Sequence, residues 1–151
     1  MLLLNISAVQ MGSALSLTVT SSATYGNVNG GGTNPSCYFT ATTYGGVTGA
    51  YVSYGSASGS CPGSMNLGTQ SGFGFVPATI GTISDGVAFK LGTFTHYNHP
   101  IVANNKFTSI DLKITLNIVG ANPANTAYTY TQYLDETPNS GTCSQCAYSP
   151  C

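Results

Sequence analysis

Apolar and polar residues alternate along much of this chain with a period of two. The longest such run lies between Ile110 and Val119, where every even-numbered residue is Ile or Leu and most of the others are polar. A second run, from Leu15 to Thr20, alternates Leu and Val with Ser and Thr. This period is typical of β-strands that bury one face, and no stretch shows a sustained helical period. The pattern predicts antiparallel strands at both places.

Further strands are predicted where short runs rich in Val, Ile, Thr, Phe and Tyr are bounded by Gly, Pro, Asn or Ser. The glycine-rich segments 26–35 and 53–63 are predicted loops. About seven or eight strands indicate one all-β domain over residues 1–151, an antiparallel β-sandwich or jelly roll that a strand from a neighbouring subunit could complete. The additional predicted strands cover residues 2–9, 38–44, 50–54, 72–83, 87–97 and 127–133.

Charge is scarce in this sequence and excludes several kinds of partner. Charged residues make up 5% of the chain, where about 25% is usual for soluble domains. The net charge is -1 and there is no Arg, so the chain has no basic surface for nucleic acid or anionic lipid. Because weak charge repulsion and many Thr, Tyr and Val residues favour pairing between sheet edges, we expect self-association.

The cysteines indicate an exported protein. Five of them lie among Gly, Ser, Thr and Asn residues, a setting more typical of disulfides in an oxidising compartment than of cytosolic thiols. Cys37 with Cys61 would close a loop of 25 residues, which stabilises the fold by roughly 3 kcal/mol in the chain-entropy model. Cys143 and Cys146 have C-x-x-C spacing, but no fourth zinc ligand and no helix for a redox motif accompany them, so local disulfides are the favoured interpretation.

Residues 1–9 form an apolar segment that Asn5 and Ser7 interrupt. The segment has no basic residues at its start, so it is a poor signal peptide, and it is too short and too polar for a transmembrane helix. We interpret it as a strand, and as a candidate donor strand for the sheet of another copy. At the other end, residues 140–151 form a cysteine-rich loop.

Two pairs of residues are candidate metal ligands. His96 and His99 form an H-x-x-H motif, but residues three apart on a strand point to opposite faces, so they could share one ion only across a turn. The alternative is a polar corner in which each imidazole bonds the main chain. Asp135 and Glu136, with nearby main-chain carbonyls, are candidate ligands of Ca²⁺, the one cofactor considered, and the alternative is a solvated or turn-capping pair.

Tyrosines alternate with threonines near the end of the last predicted strand. Tyr128, Tyr130 and Tyr133 could form a stacking platform for surface glycans, or could simply cover apolar area. No G-x-S-x-G motif and no pair of carboxylates able to flank a scissile bond is present. We therefore expect a protein that is not an enzyme.

Three segments of the second half resemble the choice-of-anchor K domain family. They are residues 89–101 (FKLGTFTHYNHPI), 109–116 (SIDLKITL) and 135–139 (DETPN), and the resemblance covers about residues 82–151. It implies an exported bacterial surface module, and it implies no activity or functional site. The family pattern continues into further strands and an anchor, so we expect those strands to come from another chain or from a longer polypeptide.

The family's loop has two cysteines, and this chain has three. The resemblance implies a bridge between Cys146 and Cys151, with Cys143 free or joined to another subunit, while a bridge from Cys143 to Cys151 is a close competitor. The sequence as a whole predicts an extracellular subunit of a cell-surface fibre or coat, a homopolymer held together by strand complementation. A monomeric adhesin or glycan-binding module is the alternative.

Overall fold

The computed structural model describes residues 3–4, 16–29, 37–57, 60–84, 87–101, 107–119 and 124–133. Over these residues the protein is all-β and contains no helix, as predicted. The strands are β1 (Leu3–Leu4), β2 (Ser16–Asn29), β3 (Phe39–Tyr44), β4 (Val47–Tyr54), β5 (Ser71–Pro77), β6 (Gly81–Ser84), β7 (Phe89–Lys90), β8 (Gly92–Tyr97), β9 (Ser109–Val119) and β10 (Ala124–Tyr133).

Eight of these strands form two four-stranded antiparallel sheets that pack as a sandwich. Sheet I has the order β10-β9-β2-β6, and sheet II has the order β3-β4-β5-β8. The two remaining strands, β1 and β7, make a short ladder of their own. The chain crosses from sheet I to sheet II after β2, returns at β6, and crosses twice more before β9.

The strongly alternating strand β9 is at the centre of sheet I. Ile110, Leu112, Ile114 and Leu116 are buried, while Lys113 and Asn117 on the other face are exposed. Leu112, Ile114 and Leu116 belong to the core cluster that contains Val19 of β2 and Ala50 and Phe75 of sheet II, and Ile110 belongs to a second core cluster. The even-numbered side chains of this strand therefore face the core and the odd-numbered ones lie on the outer face, as the sequence predicts.

The centre of sheet II is buried on both faces, because β5 and all of β4 after Thr48 have no exposed residue. Phe73 and Phe75 point toward the core, and Gly72 and Gly74 occupy the outward positions that alternate with them. The side chain of Leu67 covers Gly72, and the ring of Tyr51 covers Gly74. Glycine is required at these two positions because neighbouring atoms occupy the space of a Cβ.

A buried glutamine holds the loops of sheet II together. Gln70 Oε1 accepts hydrogen bonds from Ser53 Oγ at 3.0 Å and from the Asn66 main-chain N–H at 2.9 Å. Its amide nitrogen donates to the carbonyl oxygens of Cys37 at 2.8 Å and of Gly55 at 3.0 Å. All four hydrogen-bonding positions of the amide are used, so this fully buried side chain leaves no polar atom unpaired.

Three boundaries predicted from the sequence were wrong. The segment 72–83 is two strands in different sheets, because Pro77 ends β5 and Gly81, with a φ of 69°, begins β6. The segment 87–97 is interrupted by the buried Leu91 between β7 and β8. The predicted loop 26–35 begins too early, since β2 continues to Asn29 through a bulge at which Asn27 has a φ of 50°.

An open groove between two strand edges

The second half of β2 has a partner strand on one side only. β9 pairs with β2 from Thr18 to Asn29, whereas β6 pairs only with residues 16–19. The chain approaches β6 through Ala78, whose carbonyl oxygen accepts a hydrogen bond from Ser21 Oγ at 3.1 Å. From Ser22 onward, no strand among the described residues covers this side of β2, so alternate main-chain groups there face no partner strand.

β3 is an edge strand of sheet II, and its pairs with β4 are the only pairs it makes within the described part of the chain. Its register shifts between Ala41 and Thr43, where Gly49 and Ala50 of β4 stand opposite the single residue Thr42, so β4 carries the extra residue of a bulge. A bulge bends a strand and ends regular pairing. The straight part of this edge therefore runs from Phe39 to Ala41.

A cavity of about 370 Å³ lies between these two edges. Three consecutive residues of β2 (23–25), three of β3 (40–42) and Ala50 and Tyr51 of β4 line it. Because successive side chains on a strand point to opposite faces, a cavity lined by consecutive residues reaches the main chain as well. The groove thus presents the main chains of two strands that each lack a partner on one side.

Among the residues that the structure describes, the lining of this groove is uncharged. It consists of Ala, Thr and Tyr residues, and Ala23 and Ala50 contribute only methyl groups. Such a surface offers main-chain hydrogen bonds and an apolar recess, which together suit an extended, uncharged peptide. The sequence did not reveal the groove, because it results from the short pairing of β6 and not from any motif.

The proposed donor segment, residues 1–9, is described only at Leu3 and Leu4, which pair with Lys90 and Phe89 of the same chain. Its other residues lie outside the described part of the structure. In one isolated copy, therefore, the described part of the segment has a partner within its own chain. That partner contributes two residue pairs.

The predicted bridge between Cys37 and Cys61 is confirmed, with a Cα–Cα distance of 4.8 Å. Cys37 lies two residues before β3 and has a φ of 63°. The bridge and the hydrogen bond from Gln70 to the Cys37 carbonyl together fix the position at which the β3 edge begins. Cys143, Cys146 and Cys151 lie outside the described residues.

The structure gives His96 and His99 separate contacts. The ring of His96 packs on Phe73, with centroids 4.9 Å apart. His99 Nε2 lies 3.0 Å from the carbonyl oxygen of Leu67, and the His99 main chain bonds Ser71 Oγ through both its N–H and its carbonyl. His99 thus has the main-chain contact of a polar corner.

Asp135 and Glu136 lie outside the described residues, among which no cluster of three metal-ligating side chains occurs.

The three tyrosines predicted as a glycan platform do not share a face. Tyr128 and Tyr130 pair with Ile114 and Leu112 and pack against the core, whereas Tyr133 belongs to the opposite face and is 85% exposed. The alternation of Tyr with Thr on β10 therefore reflects core packing for two of the three rings.

A different tyrosine cluster lies on the outward face of sheet II. Tyr44 is in ring contact with Tyr51 at 5.8 Å and with Tyr97 at 6.4 Å. Tyr51 is 3% exposed, and its burial raises its pKa above the ordinary value, with Tyr97 adding to the rise. These residues come from three strands, so only knowledge of strand order could have brought them together.

No known family model matches this chain, and no curated protein matches it significantly. The resemblance to the choice-of-anchor K domain family stays a prediction. Within the residues that the structure describes, no helix is long and apolar enough to cross a membrane.

Proposed function

We propose that this protein is an extracellular structural subunit of a cell-surface fibre or coat, which polymerises when a strand of one copy inserts into the groove between β2 and β3 of the next. One observation carries the proposal. Within the described part of the chain, the groove brings together two strands that lack a partner strand on one side, and its lining carries no charged side chain. An inserted strand would bond both strands and close the open side of the sandwich.

An energetic argument supports exchange of the N-terminal segment between copies. In its own chain, the described part of the segment, β1, has two residue pairs with β7. An inserted strand would make hydrogen bonds along two edges and bury apolar side chains, and each net hydrogen bond contributes about 0.5–1.5 kcal/mol. Because donor and acceptor surfaces differ, each addition leaves a new acceptor exposed and growth continues head to tail.

Two further features support a location outside the cell. The Cys37–Cys61 bridge requires an oxidising environment. A surface with few charges and open strand edges also favours association over solubility.

Deletion of residues 1–9 tests this function. We expect the shortened chain to keep its β-sheet circular dichroism and to stay a monomer in size-exclusion chromatography, while the full chain forms large assemblies visible by electron microscopy. A full chain that remains a 15.5 kDa monomer at high concentration would refute the proposal, as would filaments that form equally well after the deletion.

The outward tyrosine cluster favours glycan binding as a second candidate function. Tyr44 and Tyr97 lie half-buried on a face whose partners are Thr and Gly, and aromatic rings beside hydroxyls suit neutral sugars. Affinity electrophoresis through gels that contain neutral polysaccharides would detect such binding as retarded migration. Tyr97→Ala should abolish the retardation, while Tyr133→Ala, on the other sheet, should not.

A further inference from the structure

We propose that the cavity between Ala23, Thr40 and Ala50 holds the side chain of Ile6 from a second copy of this chain. The inference rests on the proposed function and adds to it the residue that the groove recognises. It follows from the two faces of the donor segment, the size of the lining residues and the reach of the chain.

The first argument concerns the faces of residues 1–9. On a strand, the even-numbered residues Leu2, Leu4, Ile6 and Ala8 share one face, and all four are apolar. The other face carries Asn5 and Ser7 at its middle. A strand inserted along the open side of a sandwich has one face toward the core and one toward solvent, so the even-numbered face points inward.

The second argument concerns size. Ala23 and Ala50 have small side chains, so a recess remains beside them. On the same strands, the larger side chains of Val19 and Val52 pack in the core. A recess lined by methyl groups and Thr beside the rings of Tyr25 and Tyr51 accepts a branched side chain, as a large residue packs against small ones in a close-packed core. Among the inward-facing residues, Ile6 has the next inward position after Leu4, is itself large, and is followed by the small Ala8.

The third argument concerns reach within one copy. In its own copy Leu4 pairs with Phe89, so the described part of the segment lies along β7. Among the described residues, the cavity is lined by β2, β3 and β4 and not by β7. A second copy has no such restriction, and exchange releases Leu4 from β7.

A size-swap experiment on the full chain tests the inference. Ala23→Leu should fill the recess and raise the concentration needed for assembly at least about ten-fold, and Ile6→Ala should also raise it. The double variant Ala23→Leu with Ile6→Ala should assemble better than Ala23→Leu alone, because the small donor residue then fits the filled recess. Ala127→Leu, at an exposed position on the outer face of β10, and Ser7→Ala, on the other face of the donor, are controls that should assemble normally.

A peptide arm separates this inference from the proposed function. A peptide of residues 1–12 should bind the chain that lacks residues 1–9, and the same peptide with Ile6→Asp should bind at least about ten-fold more weakly. If Ala23→Leu blocks assembly but neither Ile6 change has an effect, the groove is used and a different donor residue fills it, which overturns the inference alone. If the peptide binds while the full chain stays monomeric, the segment fills its own groove, and both proposals fail. Near-UV circular dichroism of each variant verifies the fold.

Discussion

The two sheets of the sandwich solve the same packing problem in different ways. Sheet I buries one face, and its outer face is covered by exposed residues such as Thr20, Thr24, Lys113 and Thr129. Sheet II buries both faces at β4 and β5, because a loop and a group of tyrosines cover its outer side. Alternation of side-chain polarity organises the first sheet, and glycine positions with buried hydrogen bonds organise the second.

This difference has a thermodynamic consequence. An exposed polar residue on sheet I can bond water, so its loss costs little. A polar group buried over sheet II has only protein partners, and removing one of them leaves the others unpaired in a medium of low dielectric. Substitutions of the same type should therefore destabilise sheet II far more than sheet I.

The largest effect is expected for Gln70→Leu. This change leaves Ser53 Oγ, the Asn66 N–H and two carbonyl oxygens without the partner they have now. Since each buried unpaired group costs about 1–3 kcal/mol, we expect a loss of about 4 kcal/mol in the free energy of unfolding, measured by urea denaturation.

The matched control is Gln132→Leu on sheet I. Gln132 is half-buried, and its Oε1 atom has no hydrogen-bond partner among the described residues. We expect this substitution to change the free energy of unfolding by less than about 1 kcal/mol. Equal losses from the two substitutions would contradict the contrast between the sheets.

The second prediction compares two glycines. A Cβ at Gly72 would overlap the carbonyl oxygen of Val52 and the side chain of Leu67, so Gly72→Ala must displace main chain in sheet II. We expect a loss of about 3 kcal/mol. Gly26 on β2 has nothing within 4 Å of its Cβ position, so Gly26→Ala should stay within about 0.5 kcal/mol of the unchanged protein. A tolerated Gly72→Ala would show that the cover over sheet II is loose.

The sequence predicted β9 of sheet I better than β5 of sheet II for the same physical reason. The alternation on β9 marks a strand with one wet face, and that strand is confirmed almost residue for residue. The run from Gly72 to Ile83 has no such signal, because both faces of β5 are buried and its small residues make room for Tyr51 and Leu67. The crossing between sheets at Pro77 was therefore missed.

The groove could not be predicted either, since it depends on where β6 stops pairing with β2. The disulfide Cys37–Cys61 could be predicted, because loop-rich surroundings and a separation of 24 residues leave few alternatives for these two cysteines. The tyrosine platform failed because alternation places residues on a face but does not say which face is outside. That choice is made by the neighbouring strands.

The third prediction concerns Tyr25, a half-buried residue of sheet I. Its hydroxyl and Gln132 Oε1 are buried without a hydrogen bond of good geometry, and burial raises the pKa of Tyr25 well above its ordinary value although Gln132 partly offsets the rise. Tyr25→Phe removes the unpaired hydroxyl, so stability at pH 7 should stay equal or rise by up to about 1 kcal/mol.

The pH dependence of the same variant gives an independent measurement. The folded state keeps the Tyr25 proton above pH 10.0, where an unfolded tyrosine begins to lose it. The stability that comes from this group is complete below that pH and decreases as pH rises above it, by up to about 1.4 kcal/mol per pH unit. Tyr25→Phe should therefore lose stability less steeply between pH 10 and 11 in urea titrations. An unchanged slope would contradict the assignment.

The smallest effect is expected at Asp111, on the outer face of sheet I. Thr131 Oγ1 donates a hydrogen bond to Asp111 Oδ1 at 2.7 Å, and Asn27 Nδ2 donates one to Oδ2 at 3.0 Å. These two bonds lower the pKa of Asp111 below its ordinary value of 3.8, and the bond from Thr131 has the larger effect. A lowered pKa in the folded state gives stability that is present above pH 3.8 and is lost as pH falls through the folded value.

Thr131→Val should raise the pKa of Asp111, which carboxyl NMR shifts measure, and it should make the loss of stability in acid shallower. Thr129→Val, on the same face beside Lys113, should leave that pKa unchanged, and a similar rise in both variants would show that the outer face acts through its general polarity and not through this bond.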